Sequence, residues 1–164
     1  MREIQNVTIR MIDYYSGDPK RIQHFLKVHQ FAKLIGELEQ LDSQTQEILE
    51  IAALVHDIGI KRSEEKYNSS AGKYQELEGP PEAEALLLPL GYPQAFVSRV
   101  CWLVGHHHTY DSIEQLDHQI LVEADFLVNA YEDHLSEDAI RKVLTKLFRT
   151  KSGSQLLRTM YLCE

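Results

Sequence analysis

The sequence is short of cysteine, of positive charge and of long apolar runs, and each shortage closes off a class of protein. Only Cys101 and Cys163 occur, far apart and outside any CxxC spacing, which argues against a disulfide framework or a zinc ribbon and fits a reducing cytoplasm. Lys and Arg number 17 against 25 Asp and Glu, a formal net charge of -8. That balance argues against polymeric nucleic acid as a partner, because nothing supplies the basic stripe on which counterion release depends. No apolar run reaches the roughly 18 residues of a membrane span, and the opening "MREIQNVTIRMIDYYSGDP" has no signal-like apolar stretch. We therefore expect a soluble, unprocessed, cytoplasmic chain with no membrane partner. Strand-like alternation, internal repeats and low-complexity tracts are missing as well. A phosphate loop is excluded at "SSAGKY", since a Walker pattern ending at Lys73 needs glycine where Tyr67 stands and Ser or Thr where Tyr74 stands.

What is present is helical periodicity, with apolar residues recurring at three and four almost throughout. With 164 residues, 43% of them hydrophobic, the chain can bury a core of its own, and we expect one domain over 1–164. A first helix is expected over 2–15. A second starts at Pro19 behind Asp18 as cap, with a stripe of His24, Val28, Phe31, Ile35 and Leu38. The third, in "LDSQTQEILEIAALVHDIG", opens with Ser43 and Gln46 spaced as a capping box, closes at Gly59 and is the most apolar. Residues 60–79 are polar without sustained periodicity and read as a surface flap. Helices follow in "PPEAEALLLPLGYP", in "QAFVSRVCWLVGHHHTYD", over about 118–133, from Ser136, and over 154–162. The fold class is all-α, a bundle of seven to nine helices.

Against this apolar pattern a few polar residues stand out. His56 and Asp57 follow "ILEIAALV", about 100° apart near the end of a buried helix, so both can reach one point beyond it. A buried carboxylate must be paired or must bind a cation, because an unpaired buried charge costs several kcal/mol. Asp125 repeats the anomaly in "ILVEADFLVNA", with Leu121, Ala124 and Val128 as one-turn neighbours. His24 heads the apolar stripe of the second helix. His29 lies on a less apolar face and reads as structural or supporting. His106, His107 and His108 end another helix, and at least one should turn inward. Imidazoles with carboxylates and no nearby cysteine make a ligand set for iron, manganese or zinc rather than calcium. Arg21, one turn before His24, and Lys61, shortly after Asp57, are placed to neutralise a substrate phosphate. Cys101, beside Trp102 in an apolar helix, reads as a core thiol.

The set His24, His56-Asp57, His106-His107 and Asp125 resembles the HD-domain superfamily of metal-dependent hydrolases over about residues 19–133. Within it "HFLKV", "ALVHDIG" and "ILVEADFL" look like that family's first-histidine, HD and last-aspartate helices. The resemblance implies an HD-type helical bundle, with His24, His56, Asp57 and Asp125 as the core metal site and Asp57 bridging if two ions are bound. One of His106 and His107 would complete a second site, with His108 a weaker candidate. The sequence departs from the two-metal pattern at "QELEGPPEAEALL", where Glu78 stands in place of a histidine: either it ligates through oxygen, or it is an exposed loop acid and the second site is lost. The implied cofactor is one or two divalent transition ions, iron or manganese first, with zinc, nickel or cobalt compatible. The implied activity is a phosphohydrolase acting on a small phosphate ester or nucleotide through metal-activated water, with Asp57, Lys61 and Arg21 as catalytic candidates. The alternatives are a metal- and nucleotide-sensing module without catalysis, and a di-iron oxygenase of the same fold.

Overall fold

The computed structural model describes residues 4–164, so the expected start of the first helix at residue 2 lies outside the described residues. Among the described residues nine α-helices follow one another: α1 (Ile4–Tyr14), α2 (Pro19–Leu38), α3 (Ser43–Val55), α4 (Gly59–Tyr67), α5 (Gly72–Leu87), α6 (Gln94–Val104), α7 (Leu116–Glu132), α8 (Glu137–Lys146) and α9 (Lys151–Leu157). A short 3-10 turn follows α5, a π turn follows α9, and no strand occurs among the described residues. None of the described helices is long and apolar enough to cross a membrane.

The bundle is built around α3. Every residue from Ile48 to Val55 is buried, so this helix is enclosed on all sides, and it touches α1, α2, α6 and α7. Its N-cap is Asp42, whose carboxylate accepts from the backbone N–H groups of Gln44 and Thr45. The expected capping box at Ser43 does not form, because Gln46 turns inward to donate to Lys33 O and Glu50. On α2 the buried face runs through His24, Phe25, Val28, Ala32, Ile35 and Gly36, while Leu38 is 56% exposed at the fraying end of the expected stripe. Asp18 caps α2 by accepting from Arg21 N at 3.2 Å, and Ser136 caps α8 by accepting from Ala139 N at 3.2 Å.

The polar stretch 60–79 is not a loop. It forms α4 and the first half of α5, two antiparallel helices held against each other at Gly59 and Gly79. A Cβ on Gly59 would lie 2.6 Å from Gln75 O and 2.7 Å from Gly79 N, so this crossing requires the missing side chain. The glycine that follows the His-Asp pair therefore starts a new helix by close packing and does not simply stop the old one. Pro80 and Pro81 sit inside α5, where each withdraws a backbone donor. The proline step packs on the end of α6, where a Cβ on Gly105 would meet Pro80 Cγ at 3.3 Å.

Candidate metal centre

Three helix ends and two helix middles converge on one buried point. His24 comes from the second turn of α2. His56 and Asp57 come from the turn that leaves α3, where Ile58 N bonds Val55 O and Ile60 N bonds Asp57 O. Tyr15, just after α1, clasps the same turn by donating from its hydroxyl to Asp57 O at 2.7 Å. Asp125 comes from the middle of α7, among Leu121, Ala124 and Val128, all buried. His107 lies in the turn after α6.

The distances are close-set. His24 Nε2 lies 3.2 Å from His56 Nε2, 3.2 Å from Asp57 Oδ2 and 3.2 Å from Asp125 Oδ1. His56 Nε2 lies 3.4 Å from each of the same two carboxylate oxygens. Donors bound about 2.1 Å from one ion stand about 3.0 Å apart at right angles and about 3.4 Å apart at the tetrahedral angle. The two imidazole nitrogens stand at that spacing from each other and from both carboxylate oxygens. Asp125 Oδ1 is buried and makes no hydrogen bond, although two imidazoles face it. In the metal-free protein the charge on those imidazoles offsets it, and a bound cation could take their place. The other oxygen of Asp57, Oδ1, faces His107 Nε2 at 3.5 Å, and that nitrogen is also buried without a hydrogen bond. Asp57 thus presents one oxygen to each of two groups: His24, His56 and Asp57, and Asp57, His107 and His108.

The imidazoles are aimed by their far nitrogens. His56 Nδ1 donates to Ala53 O and His107 Nδ1 donates to Val104 O, both at 2.7 Å, which turns each Nε2 into the centre as the atom that an ion would meet. His24 Nδ1 faces both carboxylate oxygens of Glu132 at 3.1 and 3.2 Å, and Lys27 holds Glu132 at 2.8 Å. This carboxylate behind a ligand-type histidine fixes its ring and raises its basicity. Burial opposes a charge on His24, but Asp125 and Asp57 outweigh it and lift its pKa to about 9. The same contest raises His56 well above the usual value. Against burial, His56 and the other imidazoles hold Asp57 well below the carboxylate range, and His24 and His56 do the same for Asp125.

The HD-domain family model matches residues 21–147. The chain belongs to the HD-domain family. A solved structure described as a predicted HD superfamily hydrolase from an uncultured Thermotogales bacterium superposes on this HD domain with a TM-score of 0.68. The two share 26% sequence identity over 99% of this chain and 86% of that one. A comparison with curated proteins finds no match.

In this HD domain the structure brings together His24, His56, Asp57, His107 and Asp125, with His108 beside them. His106 lies apart, its ring stacked on Trp102 and its Nδ1 donating to Trp102 O at 2.7 Å. Glu78 is also elsewhere. Its carboxylate accepts from Lys66 and from the Tyr67 hydroxyl at 2.8 Å, tying α5 to α4, because it sits on the face of α5 turned toward that helix. The residue of α5 that does reach the centre is Gln75, one turn earlier, whose Oε1 lies 3.0 Å from His108 Nε2. Arg21 stands on the rim, paired with Glu64 and Asp18. Lys61 lies over the Tyr14 ring and donates to Tyr14 O at 3.3 Å. His29 is held by Glu50 at 3.0 Å between α2 and α3. Sequence reasoning missed Glu132 and Gln75. Glu132 ends α7 in the polar run "AYEDH", and Gln75 lies in the misread flap, so neither stood out by burial pattern.

Proposed function

We propose that this HD domain is a metal-dependent phosphohydrolase that acts on a small phosphate ester or nucleotide. The observation that carries the reading is that His24 Nε2 and His56 Nε2, 3.2 Å apart, each stand 3.2 to 3.4 Å from an oxygen of Asp57 and from the buried Asp125 Oδ1. His24, His56, Asp57 and Asp125 would hold the ion. A bound divalent cation would supply Lewis acidity toward a phosphoryl oxygen and a water of lowered pKa. The chain's own residues do the rest. Asp57 is reachable from outside through an opening of about 240 Å³ that it lines with Asp18, Lys20, Arg21, His24 and Glu132. That volume suits a phosphoryl group more than a large ligand. Lys20 and Arg21 provide the positive rim that a phosphate dianion needs, and a carboxylate neighbour, Glu64, keeps the Arg21 guanidinium in place.

The test is metal content and turnover measured together. Wild-type protein purified without added metal is expected to carry a transition ion and to hydrolyse at least one member of a phosphate-ester and nucleotide panel. Asp57→Asn is expected to lose both. Full metal content in Asp57→Asn would remove the centre from consideration.

A further inference from the structure

The two groups that share Asp57 differ in readiness for an ion. Around His24, His56 and Asp125 the donor atoms already stand 3.2 to 3.4 Å apart. In the other group His107 Nε2 stands 3.5 Å from Asp57 Oδ1, and both ring nitrogens of His108 already hold partners outside the group. We propose that this chain has one tight metal seat and a second, weaker one at Asp57, His107 and His108, and that Gln75 controls occupancy of the second. The inference rests on the metal-centre reading given above.

Gln75 is buried, and its amide is oriented by a bond from Nε2 to Ser70 O at 2.6 Å. The atom it turns to His108 Nε2, at 3.0 Å, is therefore Oε1. An amide oxygen only accepts, so His108 must carry its proton on Nε2. His108 Nδ1 then accepts from the Tyr110 hydroxyl at 3.2 Å. Both ring nitrogens of His108 are engaged, whereas His107 Nε2 has no hydrogen bond at all. Backbone contacts hold the pair in register, since Glu76 Oε1 accepts from His108 N and from the Thr109 hydroxyl, each at 3.0 Å. A Cβ on Gly72 would lie 3.0 Å from the His108 ring, so the start of α5 covers its face. A second ion can recruit His108 only after the ring gives up Gln75 or Tyr110. The first ion displaces only protons held among its own donors, which already stand close together.

The experiment uses the full chain, stripped by chelator and titrated with zinc as a diamagnetic probe. Calorimetry is expected to show one tight equivalent and a second at least about 100-fold weaker. Histidine side-chain 15N NMR is expected to show His108 protonated on Nε2 until the second equivalent is added. Gln75→Met has a similar shape but no acceptor, and should tighten the second equivalent by about twofold to tenfold, the scale of one lost hydrogen bond, with the first unchanged. His108→Ala should abolish the second equivalent alone. Two equally tight ions in wild-type protein, a bare His108 Nε2 before metal is added, or an unmoved second equivalent in Gln75→Met would each overturn the proposal. No zinc binding by wild-type protein would overturn the metal-centre reading itself, a result distinguishable from two equal ions. The NMR measurement on wild-type protein stands even if the Gln75 variant fails to fold.

Discussion

A histidine in an apolar interior is useful as a ligand only if something decides which nitrogen is bare, and here backbone carbonyls decide it for His56 and His107 while Glu132 acts on His24. Removing such a supporting carboxylate weakens metal binding without removing a ligand. Glu132→Ala should lower metal affinity by about 10- to 100-fold, while Glu78→Ala, which breaks only contacts to Lys66 and Tyr67, should leave it unchanged. Metal titration of the two variants side by side checks this, and the reverse order would contradict the placement of both residues. The His24 pKa of about 9 gives a pH dependence as well. Its folded value lies above the unfolded one of about 6.5, so in metal-free protein its stabilising contribution is complete below pH 6.5 and is lost as pH rises through 9. An ion must displace that proton, so metal affinity should rise from pH 7 toward pH 9, with proton release at neutral pH. Calorimetry in buffers of different ionisation enthalpy measures the release; zero protons at pH 7 would contradict a protonated His24. At this scale His24, His56, Asp57 and Asp125 were legible because polar groups interrupted apolar helix faces. Periodicity could not choose among His106, His107 and His108, because they lie where the helix ends and its face is no longer defined.

At the scale of elements, the least legible feature was the α4–α5 pair. Polar composition without sustained periodicity argued against helix over 60–79, yet both helices form, because their contact depends on two glycines and not on an apolar stripe. Propensity gave way to close packing. The pair also carries Gln75 to the centre, so misreading it hid the site's fourth wall. Gly59→Ala should therefore be costly, since its Cβ would meet backbone atoms of Gln75 and Gly79 that no side-chain rotation can move. Overpacking of this kind costs about 1 to 3 kcal/mol. For a domain of this size that is a fall in Tm of about 2 to 12 °C. Thermal unfolding monitored by circular dichroism reads it out, and an unchanged Tm would mean that α4 and α5 are not held at this crossing.

For the whole molecule, the helical class and most helix positions followed from apolar spacing, since α3 and the first half of α7 are buried on every side and α2 along one face. The distances that make a site could not follow, because residues 24, 56, 107 and 125 meet only when four segments pack. That packing gathers two carboxylates in a chain that already carries a net charge of -8. A cation that binds the folded centre and not the unfolded chain relieves this concentration of negative charge and stabilises the fold by mass action. At 100 times Kd the gain is about 2.7 kcal/mol. At this chain length it corresponds to a rise in Tm of about 5 to 11 °C. Chelator-stripped protein should therefore melt below its metal-loaded form by that amount. Asp125→Asn, which keeps the shape of the side chain but loses the charge and one of its oxygens, should show little difference between the two conditions. Equal melting of stripped and loaded wild-type protein, at metal concentrations well above Kd, would mean that the ion does not sit in the core of the bundle.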